Sequence, residues 1–308
     1  MAGSKVRAWI LHSYGSIDLF LAAGPQFAES GDFERLLFYG TFAQAVFDQW
    51  QQALETNTFS VFDRPEWLSI APAPDEEGEE WCARRYYVMT KLARLTVLVR
   101  KVRELPEDEG VARDAVGLAH ELIGLDWNSD KDWDLPFSTV PTKHLKDAKL
   151  VPFSFKWKDD SFLNVTGLNL VWSCKIILSG LCQNLYACGV PIEWPTLADL
   201  QAEERRCAML IAMSTDYFAS LAPYACIVAL ENLQRAWGVY WRQKNYCCGH
   251  DDNGMAEWLR RRGNEFLYHI NGEEMHSTGL VVLTELLMGG PPVLQLYDLN
   301  SSETTNVT

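Results

Sequence analysis

Apolar residues recur at helical spacing along most of the chain. Over residues 32–54 they fall at i, i+3, i+4 and i+7, which predicts a helix with one buried face. No stretch gives a convincing strand pattern, so the sequence predicts an all-α fold. The further predicted helices cover residues 81–105, 110–124, 162–188, 197–221, 223–244, 255–267 and 278–288.

These helices predict a single domain over residues 1–297, with about 9–12 helices around a central apolar helix pair. A flexible tail is expected over residues 298–308. An acidic, proline-containing break interrupts the helical pattern near residues 71–80. Residues 126–160 are rich in Asp, Lys, Pro and aromatic side chains, and they are too many for a passive turn. We expect this region to be a lid or a wrapped surface loop.

Composition and charge indicate a globular protein and argue against binding to nucleic acid. Of the 308 residues, 48% are apolar and 12% aromatic, enough to build a substantial core. The 41 acidic residues outnumber the 27 basic ones, giving a net charge of −14. This charge repels phosphate groups, so we expect no nucleic-acid partner and no binding to anionic membranes.

Cellular location is predicted from two further features. Residues 1–16 contain no apolar core of the length found in secretory signals, which favours a cytoplasmic protein. Residues 165–182 approach the length of a membrane span, but polar side chains interrupt them. The interrupting residues are Asn169, Ser173, Lys175 and Ser179. We therefore predict a central buried helix there and no membrane partner.

The cysteines predict reduced core thiols and no metal site. The chain has eight cysteines, with no CxxC pair, and most stand in apolar periodic segments. The nearest arrangement to a metal site is YCCGHDD over residues 246–252. The adjacent Cys247 and Cys248 cannot readily both reach one tetrahedral ion with His250.

Sequence motifs for cofactor-dependent chemistry are also missing. The chain contains no GxGxxG, P-loop, GxSxG, HExxH or DDxxD motif. Hydride, phosphoryl, acyl and metal-dependent prenyl transfer therefore lack their usual apparatus, and we expect no cofactor.

Two isolated charges single out the candidate catalytic residues. Asp216 is the only formal charge in residues 207–230, and Lys175 is the only one in residues 162–188. Burying each charge separately would cost several kcal/mol. The two groups therefore pair with each other, line a wet pocket, or reach the surface along a helix edge. In a pocket, Lys175 would polarise a substrate carbonyl or carboxylate, and Asp216 would orient it.

A cavity is expected where the least charged helices meet. Trp172, Lys175 and Ser179 share one helix face, and the break at Pro223 could open space beside it. Aromatic rings there would bind an apolar small molecule, although aromatics at helical spacing are also ordinary core residues. The predicted substrate-binding residues are Asn169, Trp172, Tyr217 and Tyr224.

Two groups of residues carry a resemblance to a known family. The first begins with a glycine- and proline-containing stretch and ends in a PEW sequence; it comprises Gly24, Pro25, Phe27, Gly31, Leu36, Pro65, Glu66 and Trp67. The second comprises Ile211, Ser214, Tyr217 and Trp237. With these residues the chain resembles the regulatory domain of fungal binuclear-zinc-cluster transcription factors. The resemblance implies a helical domain that encloses a pocket or a regulatory surface.

One departure from that family bears on function. Its members carry a six-cysteine zinc cluster with a basic flank ahead of the regulatory domain, and no such cluster precedes Ser4 here. The preferred hypothesis is a cofactor-free cyclase or pericyclase, for example a Diels–Alder enzyme, acting on an apolar terpene or polyketide intermediate of fungal specialised metabolism. The alternatives are a metabolite-binding transcriptional co-regulator that does not itself bind DNA, and an interaction scaffold without a pocket. A homodimer is compatible with the sequence.

Overall fold

A computed structural model of the chain confirms the all-α fold class over the residues it describes. Those residues are 18–19, 21–29, 46, 56–68, 79–125, 137–142, 147–158, 162–190, 192–223, 225–246, 254–270 and 276–290. The helix predicted over 32–54 lies outside this set except for Val46, which is helical and buried. The predicted tail over 298–308 also lies outside it.

Seven helices of eleven residues or more make up most of the described chain. Their bounds agree with the predicted ones to within a few residues, because the helical period repeats many times in each. The helices are α1 (Glu79–Glu104), α2 (Glu109–Gly124), α3 (Phe162–Ala187), α4 (Leu197–Ser220), α5 (Cys226–Tyr246), α6 (Met255–Ile270) and α7 (Ser277–Leu287). Shorter helical turns lie at Pro25–Glu29, Val61–Asp63 and Pro65–Leu68.

Local side chains explain where α3 ends and where α4 begins. After α3, Gly189 has a φ of 77°, a left-handed conformation that glycine adopts without strain. Before α4, the Thr196 side chain accepts a hydrogen bond from the backbone N–H of Asp199, and the Asp199 carboxylate accepts one from the backbone N–H of Thr196. The hydrogen bond from the Thr196 side chain also lowers the pKa of Asp199.

The chain divides into two compact units between Leu118 and Ala119. One unit comprises Met1–Leu118 with Pro291–Thr308, and the other comprises Ala119–Gly290. Compact units of this kind occur within single domains as well as between domains. The single domain over residues 1–297 therefore stays a prediction.

In the first unit, basic residues of α1 hold the segment before it. The Asp63 carboxylate, whose side chain is only 4% exposed, accepts hydrogen bonds from Lys91 (2.8 Å) and Arg94 (2.7 Å). Arg94 and Lys101 also lie over the Phe59 ring, 5.1 and 4.6 Å from its centroid. These basic side chains therefore pack against the segment before α1.

The second unit is built around α3. This helix packs against α4 and α5, and α5 packs against α6. Residues Val165–Ala187 are long and apolar enough to cross a membrane, but 78% of that apolar window is buried inside the protein. The prediction of a central buried helix is confirmed.

A β-hairpin in the second unit corrects the expectation that the chain has no strands. Strands β1 (Phe137–Pro141) and β2 (Phe153–Trp157) pair antiparallel, with Phe137 opposite Trp157 and Pro141 opposite Phe153. The hairpin occupies part of the region predicted as a lid or surface loop, and β2 packs against α4. Burial in β2 does not follow the alternation of its sequence, because polar Ser154 is buried while Phe153 is exposed.

Candidate functional site

Five aromatic side chains meet where the hairpin packs on α3 and α4. We call this group the hairpin cluster; it comprises Phe137, Phe155, Trp157, Trp172 and Tyr217. Within it, ring centroids are 5.9 Å apart for Phe155 and Trp172, and 5.7 Å apart for Trp157 and Tyr217. Phe137 covers Phe155 at 4.1 Å. These separations are typical of packed aromatic pairs, so the hairpin is attached to the helices largely through its rings.

Beside the hairpin cluster, Asp216 joins three elements by hydrogen bonds. Its Oδ2 accepts a hydrogen bond from Ser154 Oγ of β2 at 2.7 Å. Its Oδ1 accepts one from Arg262 Nη2 of α6 at 2.6 Å. We call Ser154, Asp216 and Arg262 the polar clamp. The clamp explains how α4 carries a carboxylate among apolar residues, because both carboxylate oxygens are hydrogen-bonded and the charge is paired.

Near the junction of the hairpin cluster and the polar clamp, two buried donors have no hydrogen-bond partner among the residues that the structure describes. They are Nε1 of Trp157 and Nε of Arg262. Trp157 is only 8% exposed and its ring contacts Tyr217, the residue that follows Asp216. A buried donor without an acceptor costs about 1–3 kcal/mol, so an unused N–H here calls for an explanation.

Lys175 does not pair with Asp216. Its Nζ lies 3.4 Å from Glu203 Oε1 on α4, and its side chain is 11% exposed. Glu203 precedes Asp216 by thirteen residues on α4, which corresponds to about 20 Å along the helix axis. The alternative in which the two isolated charges meet is therefore wrong, and Lys175 instead pairs with a partly exposed carboxylate.

Glu203 itself is held in the ionised form by its basic neighbours. Burial alone would raise its pKa, but a hydrogen bond from Arg206 and the positive charges of Arg206 and Lys175 lower the pKa below its ordinary value. Arg206 Nε lies 2.8 Å from Glu203 Oε2. The carboxylate therefore has a second basic partner besides Lys175.

The other predicted site residues fall in different places. Trp172 is 2% exposed and lies in the hairpin cluster with Tyr217. Asn169 is fully buried; its amide donates to the backbone of Val165 at 2.9 Å and accepts from Ser214 at 2.8 Å. It links α3 to α4 within the core. Tyr224 lies outside the described residues.

Sequence reasoning missed five residues of this region, namely Phe137, Ser154, Phe155, Trp157 and Arg262. The sequence FSFKW over Phe153–Trp157 places an aromatic residue at every second position, and that pattern was the available signal for a strand. Arg262 stands in a run of three arginines, Arg260 to Arg262, and nothing local distinguishes the one that is buried.

The described residues hold no candidate metal-binding group, and two of their thiols are unreactive. They contain no group of three or more His, Cys, Asp or Glu side chains placed to hold a metal ion. Burial raises the pKa of the Cys182 and Cys207 thiols to about 12. Thiols of this kind are poor nucleophiles near neutral pH, so these two cysteines act as core residues.

Comparison with known proteins identifies no relative of this chain. No family model matches it, and no curated protein or solved structure matches it either. The resemblance to the regulatory domain of zinc-cluster transcription factors therefore stays a prediction. Function has to be inferred from the hairpin cluster and the polar clamp.

Proposed function

We propose that the chain is a cofactor-independent cyclase of the pericyclase type, which binds an apolar terpene or polyketide intermediate at the hairpin cluster. The observation that supports this proposal is the packing of hairpin rings against Trp172 and Tyr217 beside two unpartnered donors. The substrate would take the place of ring-to-ring contacts as β2 separates from α4. Trp172, Tyr217 and the hairpin rings would then form its walls.

The chemistry that suits such walls is intramolecular cyclisation. Flat, rigid rings on both sides of a flexible chain restrict it to folded conformers in which the reacting carbons are close. A donor in the same site stabilises charge that develops in the transition state, and the low dielectric strengthens that interaction. Neither effect needs a cofactor. Asp216 would orient this site by fixing Ser154 and Arg262.

The co-regulator is the second candidate, and the polar clamp favours it. The clamp connects β2, α4 and α6, so a ligand that separated the hairpin from α4 would change the surface formed by three elements. A ligand-dependent surface is what a regulator needs for switching a protein partner. The same ligand would then be bound and released unchanged.

The deciding experiment uses a linear ketone that carries a diene and a tethered alkene, such as 1,7,9-decatrien-3-one. We expect the purified protein to accelerate its cyclisation and to favour one stereoisomer of the product. Trp172→Ala should remove most of the acceleration, whereas Trp237→Ala should not, because Trp237 lies on α5 and stacks on Trp241. Both variants lose a buried tryptophan, so loss of stability alone cannot account for a difference.

Two results would count against the cyclase. Binding of the ketone without acceleration would favour the co-regulator. If the protein neither binds this ketone or longer polyenes nor accelerates their cyclisation, both candidates are contradicted. Both of them place an apolar ligand at the hairpin cluster.

A further inference from the structure

We propose that the ligand of the hairpin cluster carries a neutral carbonyl oxygen, which accepts a hydrogen bond from Nε1 of Trp157. This inference rests on the proposed function, because it names the class of molecule that the proposed site binds. Ketones, esters and amides belong to the class. Carboxylates and pure hydrocarbons do not.

Of the three hairpin rings in the cluster, Trp157 is the one that carries a hydrogen-bond donor. Phe137 and Phe155 offer no polar atom, and the indole of Trp157 can donate a hydrogen bond but cannot accept one. The residue is more than nine-tenths buried, and its Nε1 has no partner within the described part of the chain. Buried indole N–H groups usually find an acceptor, and an oxygen on the ligand would supply it.

The charges nearby decide that this oxygen is neutral. Arg262 lies between two carboxylates, 2.6 Å from Asp216 and 2.5 Å from Glu265. Counting only Arg262 and its two carboxylate partners, one positive and two negative charges leave an excess of one negative charge. A carboxylate on the ligand would meet that excess and would find the guanidinium already occupied, so it would be repelled.

A neutral carbonyl also fits the proposed cyclisation. When the carbonyl is conjugated to the alkene of the substrate, a hydrogen bond to its oxygen withdraws electron density from that alkene and makes it more reactive toward a diene. The reaction then converts three carbon–carbon π bonds, two of the diene and one of the alkene, into two σ bonds and one new π bond within one molecule, and it transfers no proton. Trp157 would touch the substrate and would be a catalytic residue.

The test uses three naphthalenes of nearly equal shape. They are 2-acetylnaphthalene, which has a carbonyl oxygen; 2-isopropenylnaphthalene, which has a CH2 group in its place; and 2-naphthoate, which is an anion. Calorimetry of the unaltered protein should show the ketone binding about threefold to tenfold more tightly than the alkene, the range expected for one hydrogen bond. Naphthoate should bind more weakly than the ketone.

Trp157→Phe then removes the N–H while keeping an aromatic ring. It should lower the affinity for the ketone to that for the alkene measured on the same variant, so that the preference for the ketone is lost. Trp237→Phe is the matched control, because it replaces a buried tryptophan outside the hairpin cluster and should preserve the preference for the ketone. The comparison of ketone and alkene in the unaltered protein needs no variant, so it decides the question even if Trp157→Phe does not fold.

The possible failures are distinct from one another. Equal binding of ketone and alkene would overturn the carbonyl inference and leave the apolar site, and with it the proposed function, in place. The same holds if Trp157→Phe retains the preference, or if naphthoate binds most tightly. If none of the three compounds binds, the carbonyl inference and the apolar site both fail.

Discussion

Asp216 is stabilised at the edge of the hairpin cluster by one neutral and one charged donor. Asp216→Asn keeps the shape of the side chain but removes the charge that holds Arg262, and it leaves the guanidinium with Glu265 alone. Because Asp216 is 22% exposed, water compensates part of the loss. We expect the free energy of unfolding, measured with urea, to fall by about 1–3 kcal/mol.

Glu265→Gln is the control for Asp216→Asn. It removes the other carboxylate partner of Arg262, but Glu265 is 51% exposed and lies on the same helix. A pair of this kind contributes about 0.3–0.5 kcal/mol. If the two variants lost equal stability, the clamp would not be the interaction that fixes the hairpin.

Lys175 has a structural partner, and the pH dependence of stability reports on it. The pKa of Glu203 is lowered in the folded protein, so its ion pairs stabilise the fold above the ordinary value of 4.5, and this stability is lost as the pH falls through the lowered pKa. We expect Lys175→Met to destabilise the protein by up to about 1 kcal/mol at pH 7, since Glu203 is 36% exposed and keeps Arg206. The difference should shrink at pH 3.

A different result would restore the catalytic role that the sequence predicts for Lys175. That role requires Lys175→Met to lower turnover by roughly ten- to a thousandfold with the fold intact. Urea unfolding at both pH values and the cyclisation rate of the same preparation separate the two roles.

Cys207 provides a residue-scale test of the reduced core. Burial, aided by the Glu203 carboxylate, raises the pKa of its thiol from 9.0 to about 12. At pH 8 the reactive thiolate is therefore about a thousandfold scarcer than for an ordinary cysteine. We expect iodoacetamide to leave Cys207 unmodified while Cys188, half-exposed after α3, reacts. Mass spectrometry of the peptides would show the opposite order if Cys207 were accessible.

At the scale of elements, the close approach of α5 and α7 depends on Gly238. A Cβ atom at this position would lie 2.6 Å from Oγ1 and 2.9 Å from Cγ2 of Thr284, which is buried. Gly238→Ala should therefore lower the melting temperature, with a net loss of about 1 kcal/mol or more, because overpacking outweighs the gain in helix propensity. Adding Thr284→Ala should recover much of the loss.

Gly279→Ala is the matched control for that helix contact. Gly279 lies on α7, and a Cβ there would meet no atom within 4 Å. The substitution should be neutral or stabilise by up to about 1 kcal/mol, because alanine favours the helix. Equal destabilisation by Gly238→Ala and Gly279→Ala would mean that the spacing of α5 and α7 is not the cause.

Sequence patterns could predict the long helices but not the hairpin. The helices from α1 to α7 were predictable because each repeats its period several times, and Gly189 and Thr196 mark ends by local chemistry. The hairpin was not, since each strand has only five residues. Sequence analysis found Asp216 as an isolated charge, but its partners lie 62 and 46 residues away and no periodicity connects them.

For the whole molecule, the charge of −14 argues against binding to DNA. The basic residues of α1, the most basic of the described helices, do not fully offset this negative charge. Lys91 and Arg94 are paired with Asp63, and Arg94 and Lys101 cover the Phe59 ring. Cations engaged in this way are less available for phosphate, and the chain carries more acidic than basic residues.

The excess of acidic residues predicts that the chain does not bind DNA in a sequence-dependent way. At physiological salt we expect the purified chain to show no sequence-dependent nanomolar binding to duplex DNA, measured by fluorescence anisotropy against a randomised pool. Phosphate contacts supply most of the affinity of DNA-binding proteins, and each contact makes binding weaker as salt rises. Any residual binding at low salt should therefore be weak and indifferent to sequence. Enrichment of one sequence from the pool, with a steep salt dependence, would show a basic reading surface that the net charge conceals and would contradict the prediction.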